Sequence, residues 1–373
     1  MIWNYKPNHQ FIEKSVAKEV ITNEKKDIID VLKPYRAVIH TDNTYKGTTS
    51  TSYIQSVLSY LENVNADDLT LIDNNLSVQQ INELMSVNNR LTMFWNANIP
   101  LQSFIEILKF ETEYLPEISF DRIIIDWNSI NKNRKLTVFL LNTTNRTLYQ
   151  TTIEHQVESR VLNTFVEPTK SFYIYTEIKR GNFLSLYTPA NSVESVKYMY
   201  LMNKDIPIDK FKKILFHNQE IIQQSETDSI KQYNDSMSRM TVDTKNRILN
   251  YVYPRSVGLA NIEPSRLLRE SFNFINEHGG YNADYRLSLI NIDKHIVEYQ
   301  MYYQGLPVFS AETATKISTT WGDEEIHKYR RPYYVLENDI PTEMKVKYLP
   351  SGLEIVEKYV HSDQDIKDLV LGY

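Results

Sequence analysis

The chain has 373 residues, 42% of them hydrophobic and 24% charged, enough apolar material for packed cores. Its net charge of -6 and pI near 5.8 argue against nucleic acid as the main partner, because phosphate binding needs a basic surface. There is no cysteine, which excludes disulfides, thiolate metal sites and thiol nucleophiles together.

Residues 11–33 read as a charged helix with a thin apolar stripe (Ile21, Ile28, Leu32), stopped by Pro34. Tyr35–His40 reads as a strand. Thr51 leads into a helix with Ile54, Val57, Leu58 and Leu61 on one face. Ser77 and Gln80 have capping-box spacing ahead of Ile81, Leu84 and Met85. Arg90–Trp95 is a strand, and Pro100 is expected to open a helix carrying Leu101, Phe104, Ile105 and Leu108. "FDRIIIDW" is a further strand. "KLTVFLL" and "TLYQTT" form a hairpin across Asn142–Arg146.

A second unit is expected from about Pro168. "SFYIYTEI" and "FLSLYT" flank a turn at Arg180–Asn182, Pro207 opens a helix with Phe211, Ile214 and Leu215, and a hairpin turns near Thr244–Asn246. A helix from Pro264 with Leu268, Phe272 and Ile275 on one face, stopped by Gly279 and Gly280, begins a third unit. Its hairpin, "NIDKHIVEY", parallels "TVDTKNRILNY" of the second unit. Asp293 matches Asp243 and Tyr299 matches Tyr251, either as an internal helix-plus-hairpin repeat or as the pattern any antiparallel hairpin shows. Short strands, a turn at "LPSG" and a terminal helix over Gln364–Leu371 complete the chain. The fold expected is therefore α+β: a stalk and helix over 1–34, an α/β unit over 35–165, a central unit over 166–255 and a C-terminal unit over 256–373. The last two are built on helix-plus-hairpin modules.

Chemistry is sparse. The eight histidines are scattered, none at i, i+4 from another, so no zinc motif forms locally. "GDEEIH" (Gly322–His327) could hold a cation, but a charge run on a turn is usually a solvated face. "DNTYKG" (Asp42–Gly47) lacks the ligands of a calcium loop. Ser15 and Lys18 match S-x-x-K without its companion motifs, and nucleophile elbows and phosphate loops are absent. No catalytic residue, cofactor site or metal site is expected. Trp321, Tyr329, Arg330, Arg331, Tyr333 and Tyr334 crowd into fourteen residues. They are the types enriched at interface hot spots, and equally the types that fill a sheet core.

The segments "VEYQMYYQGLPVFS", "WGDEEIHKYRRP", "YLPSGLEIVE" and the opening "IWNYKP" resemble the YycH (WalH) family, in order and spacing over the whole chain. The resemblance implies a non-enzymatic regulator, anchored in the cell membrane by one N-terminal helix, with its large part on the extracellular side. Its partners would be a YycI-like protein and the sensor histidine kinase WalK (YycG), whose two-component system controls cell-wall metabolism. It also implies three domains, the last two similar to YycI. On this reading Trp3 and Tyr5 sit at the membrane interface, where aromatic belts form, next to an anchor absent from the sequence as given. The alternative is an exported wall-binding or wall-hydrolysing protein, which would require a cleft with converging carboxylates.

Overall fold

The computed structural model describes residues 25–112, 114–128, 130, 134–154, 158–196, 201–216, 221–254, 262–322, 325–337, 346–360 and 366–370. Most of the helix expected over 11–33, with Ser15, Lys18, Trp3 and Tyr5, lies outside these residues. Among the described residues two large sheets dominate, with short helices on their faces, an α+β architecture.

The first sheet holds β1 (Arg36–Thr41), β2 (Thr44–Thr48), β3 (Asn65–Ala66), β4 (Thr70–Asp73), β5 (Arg90–Pro100), β6 (Lys109–Phe110), β7 (Ser119–Asp126), β8 (Lys135–Asn142), β9 (Thr147–Glu154), β10 (Tyr173–Arg180) and β11 (Phe183–Pro189). Its order is β11-β10-β2-β1-β5-β7-β8-β9-β3-β6, with β4 also on β9, and only β3–β6 is parallel. Strands at its centre are apolar on both sides because both sides are covered. Ile123 and Ile125 of β7 enter one core and Ile124 the opposite one; Met93 and Phe94 of β5 divide in the same way. Helices α1 (Ile28–Val31), α2 (Thr51–Glu62), α3 (Val78–Met85) and α4 (Glu158–Phe165) accompany this sheet. The capping box expected at Ser77 and Gln80 is formed, each side chain bonding the other's backbone N–H.

Two short ladders follow, formed between β12 (Val193–Val196), β13 (Leu201–Asp205) and strands near the end of the chain. After α5 (Ile208–Leu215) comes the second sheet: β14 (Gln223–Thr227), β15 (Ile230–Asn234), β16 (Arg239–Asp243) and β17 (Ile248–Val252). The helix α6 (Pro264–Glu277) then precedes β18 (Asp284–Asn291), β19 (Ile296–Tyr303), β20 (Leu306–Pro307), β21 (Lys316–Trp321) and β22 (Ile326–Pro332). Spatial order is β14-β15-β16-β17-β22-β21-β19-β18, with β20 on β19. The two similar hairpins therefore share one sheet, separated by β22 and β21. β23 (Tyr334–Glu337) pairs with β13, β24 (Val346–Leu349) pairs with β12, and α7 (Gly352–Tyr359) brings the chain back to β11.

One apolar core runs through both sheets, from Val57 and Leu61 of α2 through Leu268 and Ile275 of α6 to Tyr299 and Tyr329. Polar ties cross the same junction. Arg286 Nη1 donates to the Pro34 carbonyl at 2.7 Å, Asn96 Nδ2 to the Tyr302 hydroxyl at 3.0 Å, and Lys26 Nζ to the Ala283 carbonyl at 2.6 Å.

Several expectations change. Pro100 opens a single 3-10 turn (Leu101–Ser103), not an α-helix. Leu101, Phe104 and Leu108 are buried but Ile105 is exposed, so the apolar spacing reflects a compact loop pressed on the core. Strands β10 and β11, placed by sequence at the start of the central unit, ladder onto β2, so pairing crosses the boundary expected at 165/166. The approach is possible because Gly47 of β2 has no Cβ: one there would lie 2.3 Å from the Tyr175 ring. Residues 366–370, inside the expected terminal helix, carry no helix. Strands β14 and β15 have no counterpart in the sequence reading. In the hairpin comparison, Asp243 corresponds to Asn291 rather than Asp293. Each is the last strand residue before a four-residue loop, and its side-chain oxygen accepts from loop amides. The β8–β9 loop repeats this device with Asn142, and the three loops close on Arg146, Arg247 and His295 at φ 56°, 55° and 49°.

Candidate interaction sites

The aromatic and arginine run lies on β21, β22 and β23, with Tyr333 between the last two, and alternation along β22 separates Arg330 from Tyr329 and Arg331. Tyr329, Arg331, Tyr333 and Tyr334 are buried, Trp321 is half-buried, and Arg330 is exposed. Tyr329, Arg331 and Tyr333 therefore serve the interior and are not available to a partner. Arg331 Nη1 donates to the Gly280 carbonyl at 2.9 Å and to the Tyr329 hydroxyl at 2.8 Å. Its Nη2 reaches Asn282 Oδ1 at 3.2 Å, and its guanidinium lies over the Phe211 ring. The Tyr329 hydroxyl donates to the His278 carbonyl at 2.9 Å. The pair thus satisfies carbonyls left open at the end of α6, where a cation is also favoured by the helix dipole. Gly279, at φ +106°, passes so close that a Cβ would meet Arg331 Nη1 at 2.6 Å. Trp321 Nε1 donates to Ser271 Oγ at 2.8 Å, tying β21 to α6.

Arg330 faces the other way. Its cross-strand neighbours are Asn250 and Ser318, and along the same row lie Gln232, Thr241 and Glu298. These side chains are half-buried or exposed, as are Arg239 and Lys328 two positions along the strands. The side of the second sheet opposite α6 is thus an open polar face carrying Arg239, Lys328 and Arg330.

A second grouping, scattered in sequence, lies on the first sheet. Arg36, Phe94 and Arg122 are direct cross-strand neighbours on β1, β5 and β7. Both guanidiniums lie 4.5 Å from the Phe94 ring centre. Asp368, from the last described segment, presents both carboxylate oxygens to Arg36 Nη2 at 2.8 and 2.7 Å and accepts from the Tyr35 hydroxyl. One of its oxygens is 3.9 Å from Arg122 Nη2. Arg36 Nη1 donates to the Tyr187 and Leu369 carbonyls. Asp121, fully buried, accepts from Thr143 N at 2.8 Å and Thr143 Oγ1 at 2.5 Å, and pairs with Arg122 at 3.2 Å and Lys367 at 2.6 Å. Burial opposes its charge, but Arg122, Lys367 and Thr143 prevail and hold it below the ordinary carboxylate range. Burial lowers Arg36 to about 10, still charged at neutral pH. Burial pushes the Asp368 carboxyl well up, and the Leu369 backbone N–H, which donates to it at 2.8 Å, opposes that push only in part. No local pattern announces this cluster, since Arg36 and Asp368 are separated by 332 positions.

A cleft of 630 Å³ opens beside α3 and β11, lined by Asn82, Glu83, Arg146, Glu177, Lys179 and Asn182 among others. Glu177 accepts from Ser185 Oγ at 2.7 Å, and Asn82 bonds both Phe183 O and Ser185 N. Among the described residues no group of three or more His, Asp and Glu side chains is placed to hold a metal ion, and no helix is long and apolar enough to cross a membrane. Residues 323 and 324 of the "GDEEIH" run lie outside the described set.

Two broad antiparallel sheets sharing one core, with the end of the chain folded back onto the first sheet, define a two-sheet α+β scaffold. The chain belongs to the YycH family: the family's N-terminal domain matches residues 1–171 and its C-terminal domain residues 184–373. It is 19% identical over 391 aligned positions, covering 100% of this chain and 85% of the relative, to the two-component system WalR/WalK regulatory protein YycH of Bacillus subtilis (strain 168). Its fold matches the crystal structure of YycH from Bacillus subtilis with a TM-score of 0.77 at 17% identity, over 93% of this chain and 94% of the other.

Proposed function

We propose that this chain regulates a WalR/WalK two-component system by protein–protein contact and without catalysis. The observation that carries the reading is membership of the YycH family along nearly the whole chain, together with a full-length relative named a WalR/WalK regulatory protein. In this reading the chain stands on the extracellular side of the cell membrane. The residues ahead of Lys26 lead to an N-terminal anchor, with Trp3 and Tyr5 at the membrane interface, whereas Lys26–Pro34 belong to the two-sheet scaffold that follows. Its partners are the sensor kinase WalK and a YycI-like protein. It biases the kinase by binding one signalling state more tightly than the other, the only way a partner shifts such an equilibrium. Arg330, with Lys328 and Arg239 on the open face of the second sheet, is the contact candidate that the fold leaves accessible.

The test is affinity capture of the membrane-tethered protein from cells. Recovery of the kinase and the YycI-like protein supports the reading; recovery of neither overturns it. Arg330→Glu is expected to reduce recovery of one of the two by at least tenfold while leaving the melting curve unchanged. The wall-hydrolase reading draws on the polar cleft with Glu83 and Glu177. Release of wall fragments by the purified protein, abolished by Glu177→Gln, would favour it instead.

A further inference from the structure

The Arg36–Phe94–Arg122 row is built more completely than its resident occupant requires. Take away residues 366–370 and nearly everything else in the site keeps its partners. Asp121 retains both Thr143 bonds and Arg122. Arg122 Nη1 retains the Trp95 and Asp121 carbonyls. Arg36 retains Tyr187 O and its place over Phe94. What Arg36 loses is its carboxylate and the Leu369 carbonyl. Because Lys367 and Asp368 leave together with no net charge, the site keeps two guanidiniums against one carboxylate, a buried excess of one positive charge. Two further N–H groups, Arg36 Nε and Arg122 Nε, are buried with no hydrogen-bond partner. A fixed guanidinium whose Nη2 is left without its acceptors, beside this surplus of charge, is a receptor for a carboxylate.

The occupant, by contrast, is not a regular element of the fold. Residues 366–370 form neither helix nor strand, and all five are half-buried. Asp368 supplies the carboxylate and Lys367 the bond to Asp121. Ile366 and Leu369 rest on Ile178, Leu186 and Val356, and Val370 on the patch around Tyr35 and Tyr187. Arg180 donates to the Ile366 carbonyl at 3.1 Å. The recognition pattern is a Lys-Asp pair flanked by aliphatic residues.

We infer that Arg36, Phe94 and Arg122 form a carboxylate-recognition site for an acidic peptide segment, occupied in cis by Asp368 and open to the same chemistry in trans when the C-terminal segment withdraws. The inference stands apart from the kinase reading, because it concerns what this site binds and its test uses no other protein. A tethered occupant competes at an effective concentration in the millimolar range, so the intact chain masks its own site.

The experiment uses the full chain and a fluorescein-labelled peptide of residues 364–373, followed by anisotropy. The variant carrying Lys367→Ala and Asp368→Asn, with its own segment disabled, is expected to bind the peptide at least tenfold more tightly than the unchanged chain. Adding Arg36→Met, or placing Asp368→Asn in the peptide, is expected to abolish the gain. A folded variant that binds no better than the unchanged chain overturns the proposal, as does equal binding of the neutral peptide. Should the double variant fail to fold, trypsin on the unchanged chain discriminates instead. Cleavage after Lys367 without loss of the folded signal, accelerated by excess peptide, supports an exchangeable segment. Cleavage only on unfolding, indifferent to peptide, overturns it.

Discussion

Arg330 and Arg331 are adjacent in sequence and opposite in fate. Arg331 is buried, and its bonds hold the end of α6 and the Tyr329 hydroxyl. Replacing it with Met leaves those acceptors without donors, and by the cost of stranding buried polar partners Arg331→Met should destabilise the fold by about 3 kcal/mol. Arg330→Ala removes only an exposed side chain and should stay within about 0.5 kcal/mol. Urea denaturation of the two variants checks both values, and equal effects would contradict the assigned burial. The residue types in this run were legible as either interface or core, because Tyr and Arg serve both. What divides them is the alternation of β22, and composition carries no information about which alternate residues face α6.

At the scale of elements, helices and hairpins with a local chemical signal were readable: the Ser77 box, Pro264, and the β8–β9, β16–β17 and β18–β19 loops. The three loops share a design that the sequence comparison caught in part. An Asx residue ends the first strand and accepts from the loop, and a residue with positive φ begins the return. The correspondence of Asp243 with Asn291 was missed because Asp293 offers the same letter two positions further on. Since the left-handed region is strained for L-residues and not for glycine, Arg146→Gly should stabilise the protein by about 0.5 kcal/mol, net of the freedom glycine adds to the unfolded chain. Arg146 is exposed, so little packing is lost. A thermal shift of the wrong sign would refute the argument. Strand β14 escaped detection for a physical reason. All five of its residues are exposed at a sheet edge, so "QQSET" has no apolar face to reveal a period.

Across the whole molecule, the apolar core and the ties from Arg286, Asn96 and Lys26 couple the two sheets. Unfolding should therefore be a single transition. Variants retaining Trp95 or Trp127 as the reporter on the first sheet, or Trp321 on the second, should give superimposable urea curves. Separated midpoints would show that the sheets unfold independently. Acid stability follows from Asp121. Its pKa is held below the ordinary 3.8, so its ionised form stabilises the fold above that pH, and the stabilisation disappears as pH falls through the lowered value. Thr143→Val removes one of the bonds that lower it and should move the acid-unfolding midpoint to higher pH, measured by far-UV circular dichroism. The substitution isolates Asp121 from Asp368, whose carboxyl is shifted in the opposite direction, upward. An unchanged midpoint would remove Asp121 from the account. None of this long-range pairing could be read from the chain, because it depends on which strands become neighbours.

The bond between Arg36 and Asp368 also sets an order in time. Ribosomes add roughly 5–20 residues per second, so the guanidinium on β1 is made on the order of half a minute before its carboxylate. Until then the first sheet holds an unmatched cation at its centre, and a chain broken off at any point before Asp368 never loses it. Closure of the first strand by the last described segment thus acts as a check on completeness: a polypeptide translated through Asp368 neutralises from within the strand with which its first sheet began.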